Sequence, residues 1–343
     1  MKTSRGQCRN WIWKGGNRVL ANEGGKRYCS VREAYGKALA ELGRTNESVV
    51  VLEADVGGST KSSLFGGEFP ERYFNMGICE LNMVNTAAGL AMEGFTPFVN
   101  TFAVFMTSRA LDPIQSMIAY DGLNVKLAGA YCGLSDSYDG ASHQAITDIA
   151  VMRTIPGMTV VSVSDAAEAE AAVRALADYP GPAYLRLSRA DAPVIYERGC
   201  DFKVGKGIVC RDGNDVTLIG TGTVVSRCLE AAARLKELGI DAAVIDMHTI
   251  KPIDESLILK YAKRTKAIVT VEEHSVCGGF GSAVAEVIVK RYPIPMDIIG
   301  IETFAESGDY EELLDKFGLG SQRITEACRQ IVQRKQNWKG DSL

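Results

Sequence analysis

The chain has 343 residues, 46% of them hydrophobic and 23% charged, with a formal net charge of -4. That length accommodates two α/β domains, each with its own core, and the acidic balance argues against nucleic acid or an anionic membrane as partner. Nine scattered Cys without a C-x-x-C pair, no signal peptide and no apolar run near the ~18 residues of a membrane span predict a soluble cytoplasmic protein with reduced thiols and no metal site.

Residues 1–26 are basic and glycine-dotted, with Trp11 and Trp13 but no sustained period. They read as an arm, with packing on a partner and a flexible tail both open. From residue 27 onward, helical and β-rich segments alternate. Helix-like 31–43 precedes a strand at 48–52, helix 81–93 precedes a strand at 97–101, and helix 103–119 precedes a strand at 125–128. Helices 145–154 and 165–178 precede strands at 159–163 and 183–187. This alternation predicts a parallel sheet covered on both faces. The period lapses around Pro193, over 191–201. It then resumes with strands at 216–219, 242–245, 267–271 and 296–299 and helices at 224–238, 254–264 and 280–291. The expected fold class is α/β, with two doubly wound domains over 27–191 and 202–335.

Within this frame the stretch Phe74-Asn75-Met76-Gly77-Ile78-Cys79-Glu80-Leu81-Asn82 stands out. The segment after it is small and apolar, with Val84, Ala87, Ala88, Ala91 and Met92 at helical spacing, and predicts a buried helix. Glu80 then lies at a strand-to-helix junction with no Lys or Arg within seven residues. A carboxyl group there is expected to have a raised pKa and to hold a proton near neutral pH. Thiamine diphosphate enzymes need such a group, because a carboxyl bonded to the aminopyrimidine ring favours the imino tautomer that deprotonates the thiazolium carbon. An acid at a helix start is also an ordinary dipole or capping partner.

The neighbours bear on that choice. Phe102 and Phe105 are three apart, so at a helix start they share a face and can present rings to a flat heterocycle; plain core packing is their alternative. Asp139-Gly140-Ala141-Ser142-His143-Gln144 is a polar loop holding one of only three His in the chain, directly before the predicted helix. His143 there can donate to a sugar hydroxyl or shuttle a proton, or it is a solvated capping residue.

In order along the chain, these segments resemble the pyrimidine-binding half of transketolase, in the form found when that enzyme is split into two subunits. The resemblance runs from about Arg27 to Val332. It rests on Val31-Arg32-Glu33-Ala34-Tyr35-Gly36, Glu53-Ala54-Asp55, Gly77-Ile78-Cys79-Glu80, Thr101-Phe102-Ala103-Val104-Phe105, the Asp139–Gln144 loop, Leu187-Ser188-Arg189, Val271-Glu272-Glu273-His274-Ser275 and Gly278-Gly279-Phe280-Gly281-Ser282-Ala283. It implies that Glu80 activates the cofactor's pyrimidine, with Phe102 and Phe105 as the wall against that ring. It also implies that Asp139 and His143 meet the hydroxyls and reacting carbonyl of the substrate, His143 acting in catalysis, and that Arg32, Ser59 and Arg189 hold the distal phosphate of a sugar phosphate. A guanidinium suits that task because its planar fork binds phosphate oxygens in pairs.

The family grips the diphosphate through a divalent metal, Mg2+ or Ca2+, bound by a Gly-Asp-Gly segment and a later Asn. No Gly-Asp-Gly occurs here. By resemblance that half of the site lies on a separate N-terminal transketolase subunit, and the working enzyme is an α2β2 heterotetramer. Two departures concern the substrate. Tyr131 stands where the family usually has a His that meets the phosphate, and Asp136-Ser137-Tyr138 leads into Asp139 where the family usually has Val-Gly-Glu. Both leave the identity of the sugar open, a non-phosphorylated one included.

Rival readings are a β subunit of a 2-oxo acid dehydrogenase, a deoxyxylulose phosphate synthase-like enzyme, and a non-catalytic interaction subunit. A nucleotide-binding oxidoreductase would rest on Gly220-Thr221-Gly222-Thr223, which lacks the full G-x-G-x-x-G pattern and reads better as a strand-to-helix turn. The Glu272-Glu273-His274 triplet, at a strand end before a glycine turn, reads as structural or interfacial.

Overall fold

The computed structural model describes residues 11–14, 17–21, 27–197 and 199–337. Along the strand Val49–Glu53, Val49 and Val51 join one core cluster while Val50 and Leu52 join another. Successive side chains of a strand point to opposite faces, so a run buried throughout belongs inside a sheet covered on both sides. That strand lies in a seven-stranded sheet of order Thr249–Lys251, Thr159–Ser162, Ala183–Leu187, Lys126–Ala130, Thr96–Phe102, Val49–Glu53, Tyr73–Asn75. All its pairings are parallel except that of Thr249–Lys251, an edge strand lent by the second half of the chain.

A five-stranded sheet follows, of order Ile208–Arg211, Ala242–Asp246, Val216–Gly220, Ile268–Ser275, Met296–Ile301, with only Ile208–Arg211 antiparallel. The two sheets share a core. Val99, Met83, Ile114 and Met152 from the first half pack in one cluster with Ile219, Ile245, Phe280 and Val284 from the second. The outer face of each sheet has its own cluster, one around Tyr35, Leu39, Val173 and Leu176 and one around Leu218, Leu235, Ile324 and Cys328.

The seam also carries a buried ion pair. Arg186 Nε donates to Asp148 Oδ2 at 2.7 Å and its Nη2 donates to the Glu273 carbonyl at 2.9 Å, while Tyr184 donates to the same Asp148 oxygen at 2.8 Å. The Glu272–His274 triplet is structural among these contacts. Glu272 accepts from the Phe280 and Gly281 amides at 2.6 and 2.7 Å, closing the start of helix Phe280–Arg291, and burial pushes its pKa up to about 7. A Cβ at Gly279 would sit 2.2 Å from the Glu272 carboxylate, so that turn needs a glycine for close approach. Glu273 accepts from the Leu134 amide and from the Thr223 and Tyr310 hydroxyls.

Several expected elements differ. The predicted helix 103–119 ends at Arg109, followed by a short turn Leu111–Pro113 and a π-helical stretch Ile114–Ala119. Pro113 has no amide proton for the Arg109 carbonyl, so the α ladder stops there although the apolar period runs on. The helix expected from 145 starts at Asp148, because Ala145 is drawn into a bridge with Cys132 and its carbonyl accepts from Gly133 and Arg186. Helix Glu80–Met92 is buried on one face only: Met92 is exposed and Ala91 half-buried. Within the expected arm, Trp11–Lys14 and Asn17–Ala21 form a ladder that pairs on to Arg27–Ser30; the rest of 1–26 lies outside the described residues. Helices Tyr310–Lys316 and Ser321–Gln336 follow in the C-terminal part and were not expected.

Candidate functional site

The candidate residues gather outside the carboxyl ends of the parallel strands. Phe102 is the last residue of strand Thr96–Phe102, Tyr131 follows strand Lys126–Ala130, and Arg189 comes two residues after strand Ala183–Leu187. Glu80 opens helix Glu80–Met92 a short turn beyond strand Tyr73–Asn75, and Ser59 lies in the turn of helix after strand Val49–Glu53. Open α/β sheets bind ligands in this crevice, because the loops there are free of ladder constraints.

At one end, Glu80 is buried at the helix start with its side chain 5% exposed. The sequence around Glu80 holds no Lys or Arg within seven residues, but the fold brings a cation to it. Arg109, 29 residues on, donates from Nη1 to Glu80 Oε1 at 2.8 Å. Arg109 closes helix Ala103–Arg109, where the negative end of the helix dipole favours a cation. Its guanidinium also lies over the Phe105 ring at 4.0 Å. The Phe102 and Phe105 rings stand 5.8 Å apart and 25° from parallel, with His143 edge-on to Phe105 at 5.3 Å. A buried carboxyl beside two near-parallel aromatic rings fits the pyrimidine end of thiamine diphosphate in donor set and in shape.

At the other end, the Tyr131 ring stacks on Phe102 at 4.1 Å. Its backbone is left-handed, φ +62, a region bulky residues seldom occupy. Arg32 donates from Nη1 to the Tyr131 hydroxyl at 2.9 Å and to the Ser59 carbonyl at 2.6 Å. The Arg32 and Arg189 guanidinium carbons lie 5.0 and 5.2 Å from the Tyr131 ring centroid. Burial lowers the Arg32 pKa from its ordinary value, and the nearby Arg189 charge lowers it further. Arg189 in turn donates from Nη1 to Asp136 Oδ1 at 3.0 Å. Burial, reinforced by the charge of Asp139, pushes the Asp136 pKa up to about 6.

The structure therefore brings Glu80, Phe102, Phe105, His143, Tyr131, Arg32, Ser59 and Arg189 along one wall, with exposed Asp139 beside Asp136. His143 does not start a helix as expected; it sits in a turn closed by Gly140, five residues before Asp148. That turn is held by the second half of the chain, where Gly308 N donates to the Ser137 carbonyl and Gln144 Nε2 to the Glu306 carbonyl. Sequence reasoning missed Arg109, which no local motif marks. It noted Asp136 only as a departure from the family.

Phe74, Ile78 and Leu81 flank Glu80 and are 39%, 68% and 50% exposed. Among the described residues no three His, Cys, Asp or Glu side chains come together as a metal site, and no helix is long and apolar enough to cross a membrane.

Family models match this architecture in two parts: the transketolase pyrimidine-binding domain over residues 27–194 and the transketolase C-terminal domain over residues 205–324. The chain belongs to the transketolase family. Within it, the match is to the C-terminal section. A Methanocaldococcus jannaschii protein named as a transketolase C-terminal section is 43% identical over 312 residues, which is 90% of this chain and 98% of the relative. The 6-deoxy-6-sulfo-D-fructose transketolase subunit of Clostridium sp. (strain MSTE9) is 38% identical over 306 residues, 89% of this chain and 95% of the relative. A solved structure described as a split gene transketolase, inactive β4 tetramer, is 45% identical with a TM-score of 0.84, covering 89% of this chain and 99% of that one.

Proposed function

We propose that this chain is the pyrimidine-side subunit of a thiamine diphosphate-dependent transketolase that transfers a two-carbon ketol unit from a ketose to an aldose in the cytoplasm. The observation that carries the reading is the single wall running from Glu80 through Phe105, Phe102 and Tyr131 to Arg32 and Arg189. When bound, thiamine diphosphate supplies the carbanion chemistry that the side chains of the protein lack.

In this reading Glu80 is the hydrogen-bond partner of a ring nitrogen of the pyrimidine and exchanges a proton with it, and Phe102 and Phe105 fix the plane of that ring. His143 and Asp139 meet the hydroxyls of the sugar, and His143 moves a proton at the reacting carbonyl. Arg32, oriented by the Ser59 carbonyl, works with Tyr131 and Arg189 at the distal end of the substrate. The domain limits 27–191 and 202–335 belong to the same reading.

The diphosphate and its Mg2+ or Ca2+ fall to a partner N-terminal subunit in an α2β2 assembly. Exposed Phe74, Ile78 and Leu81 beside Glu80 fit such an interface, since apolar side chains grouped at a cleft mouth are otherwise a liability. The test is coexpression with a reading frame encoding Gly-Asp-Gly and a following Asn. Ketol transfer is expected only in the mixture, and only with thiamine diphosphate and the cation. Turnover that requires a lipoyl acceptor would instead favour a 2-oxo acid dehydrogenase.

A further inference from the structure

Asp136 is completely buried, yet it belongs to no role in the proposed chemistry. Its Oδ1 accepts from Arg189, and its Oδ2 is buried without a hydrogen-bond partner. An unpaired buried carboxylate oxygen is costly to keep, so it marks either a ligand's position or a deliberate charge. Arg32 shows the opposite defect a short way along the same wall: its Nε–H is buried without an acceptor. The two guanidinium groups meet at one aromatic ring, Tyr131, whose hydroxyl already accepts from Arg32.

We infer that Asp136 is a specificity-determining residue that cancels one of the two guanidinium charges, so that the distal subsite selects a singly charged tetrahedral group such as a sulfonate over a phosphate dianion. The inference rests on the reading of this wall as the sugar-binding end of a ketose site. Two Arg without Asp136 would present two positive charges, the complement of a dianion. With Asp136 in contact with Arg189, the Arg189 charge is matched by a carboxylate, while Arg32 keeps a buried Nε donor without an acceptor. A dianion there would also face the negative charges of buried Asp136 and of Asp139 beside it, and like charges at close range repel. Tyr131 acts in the same direction, because its neutral hydroxyl can donate one hydrogen bond but carries no charge.

A carboxamide at position 136 keeps the shape and removes the charge. The experiment measures binding of methyl phosphate and methanesulfonate to the full chain at about pH 8, where the phosphate monoester is a dianion, for wild type, Asp136→Asn, Asp136→Val and Asp136→Glu. Asp136→Asn and Asp136→Val are expected to shift the ratio of dissociation constants toward methyl phosphate by about tenfold or more, and Asp136→Glu to keep the wild-type ratio. In the reconstituted enzyme the same shift appears in KM for a 5-phospho ketose against its sulfonate isostere, with kcat little changed. An unchanged ratio in both neutral variants overturns the inference, whatever the turnover. Absence of ketol transfer with every ketose, while the binding ratio still shifts, overturns the functional reading and leaves the charge-tuned anion site standing.

Discussion

Arg109 and Glu80 are joined by a 2.8 Å hydrogen bond from Nη1 to Oε1, although 29 residues separate them in the chain. The pair is asymmetric: the Glu80 side chain is 5% exposed and that of Arg109 50% exposed. A half-exposed ion pair contributes roughly 0–1 kcal/mol, so folding does not depend on it. Glu80→Ala is therefore expected to assemble with its partner and yet lose about 10²–10⁴-fold in ketol transfer, the range for removing a general acid-base group. Sedimentation of the reconstituted complex beside its turnover checks both halves of the statement. An active Glu80→Ala enzyme would remove Glu80 from the chemistry.

The isolated subunit is expected to bind thiamine diphosphate weakly and to catalyse nothing. The wall described above offers rings and a carboxyl for the pyrimidine, whereas a diphosphate needs a cation or a cluster of amides to hold its charge. Calorimetry of the chain alone, with and without Mg2+, is the measurement. Tight, metal-dependent binding would show that this chain carries both ends of the cofactor site.

The buried Arg186–Asp148 pair behaves differently from the exposed one. Both side chains are 0–2% exposed, and Arg186 also ties Asp148 to the Glu273 carbonyl across the seam. Asp148→Asn leaves a buried guanidinium without its counter-charge, which costs about 3–5 kcal/mol. Urea unfolding at neutral pH should show that loss. A loss near zero would mean that water or a rearranged Glu273 takes over the charge.

Much of the scaffold and of the candidate site is legible because its signals are local. Strands such as 49–53 announce themselves by a continuous apolar run, and Glu80, Phe102, Phe105 and His143 sit in contiguous motifs. What was missed depends on contacts distant in sequence. Arg109 meets Glu80 from the end of a different helix, 29 residues away in the chain. The bridge between Cys132 and Ala145, which delays the helix after His143, has no local signature. The C-terminal helix is a different failure: Ile324, Ala327, Cys328 and Ile331 repeat at helical spacing and are all buried.

His248 links stability to pH. It is fully buried, stacks on Phe202 at 4.1 Å, and has an Nε2 without a partner. Burial pushes its pKa down to about 4. A base with a depressed folded-state pKa favours the native state above its unfolded pKa of about 6.5, and that stability is lost as pH falls from there through about 4. The full contribution is about 3 kcal/mol. His248→Gln should therefore lose less stability than wild type between about pH 8 and pH 4, by that amount, in denaturant midpoints. Parallel curves would show that the imidazole finds a proton acceptor in the folded chain.

Tyr131 is the remaining residue whose exchange has a clear sign. Its hydroxyl accepts from Arg32 at 2.9 Å, and its ring is held between Phe102 and the two guanidinium groups. A His fits the same backbone, since His is among the residues enriched in the left-handed region. In the reconstituted enzyme an imidazole could carry positive charge and donate to a dianion, which the neutral phenol does less well. Tyr131→His is expected to raise kcat/KM for xylulose 5-phosphate, chiefly through KM, and to do so more at pH values low enough to protonate the ring. A wild type that already uses xylulose 5-phosphate efficiently, with no improvement in the variant, would make Tyr131 a neutral replacement. The distal end would then be that of an ordinary transketolase.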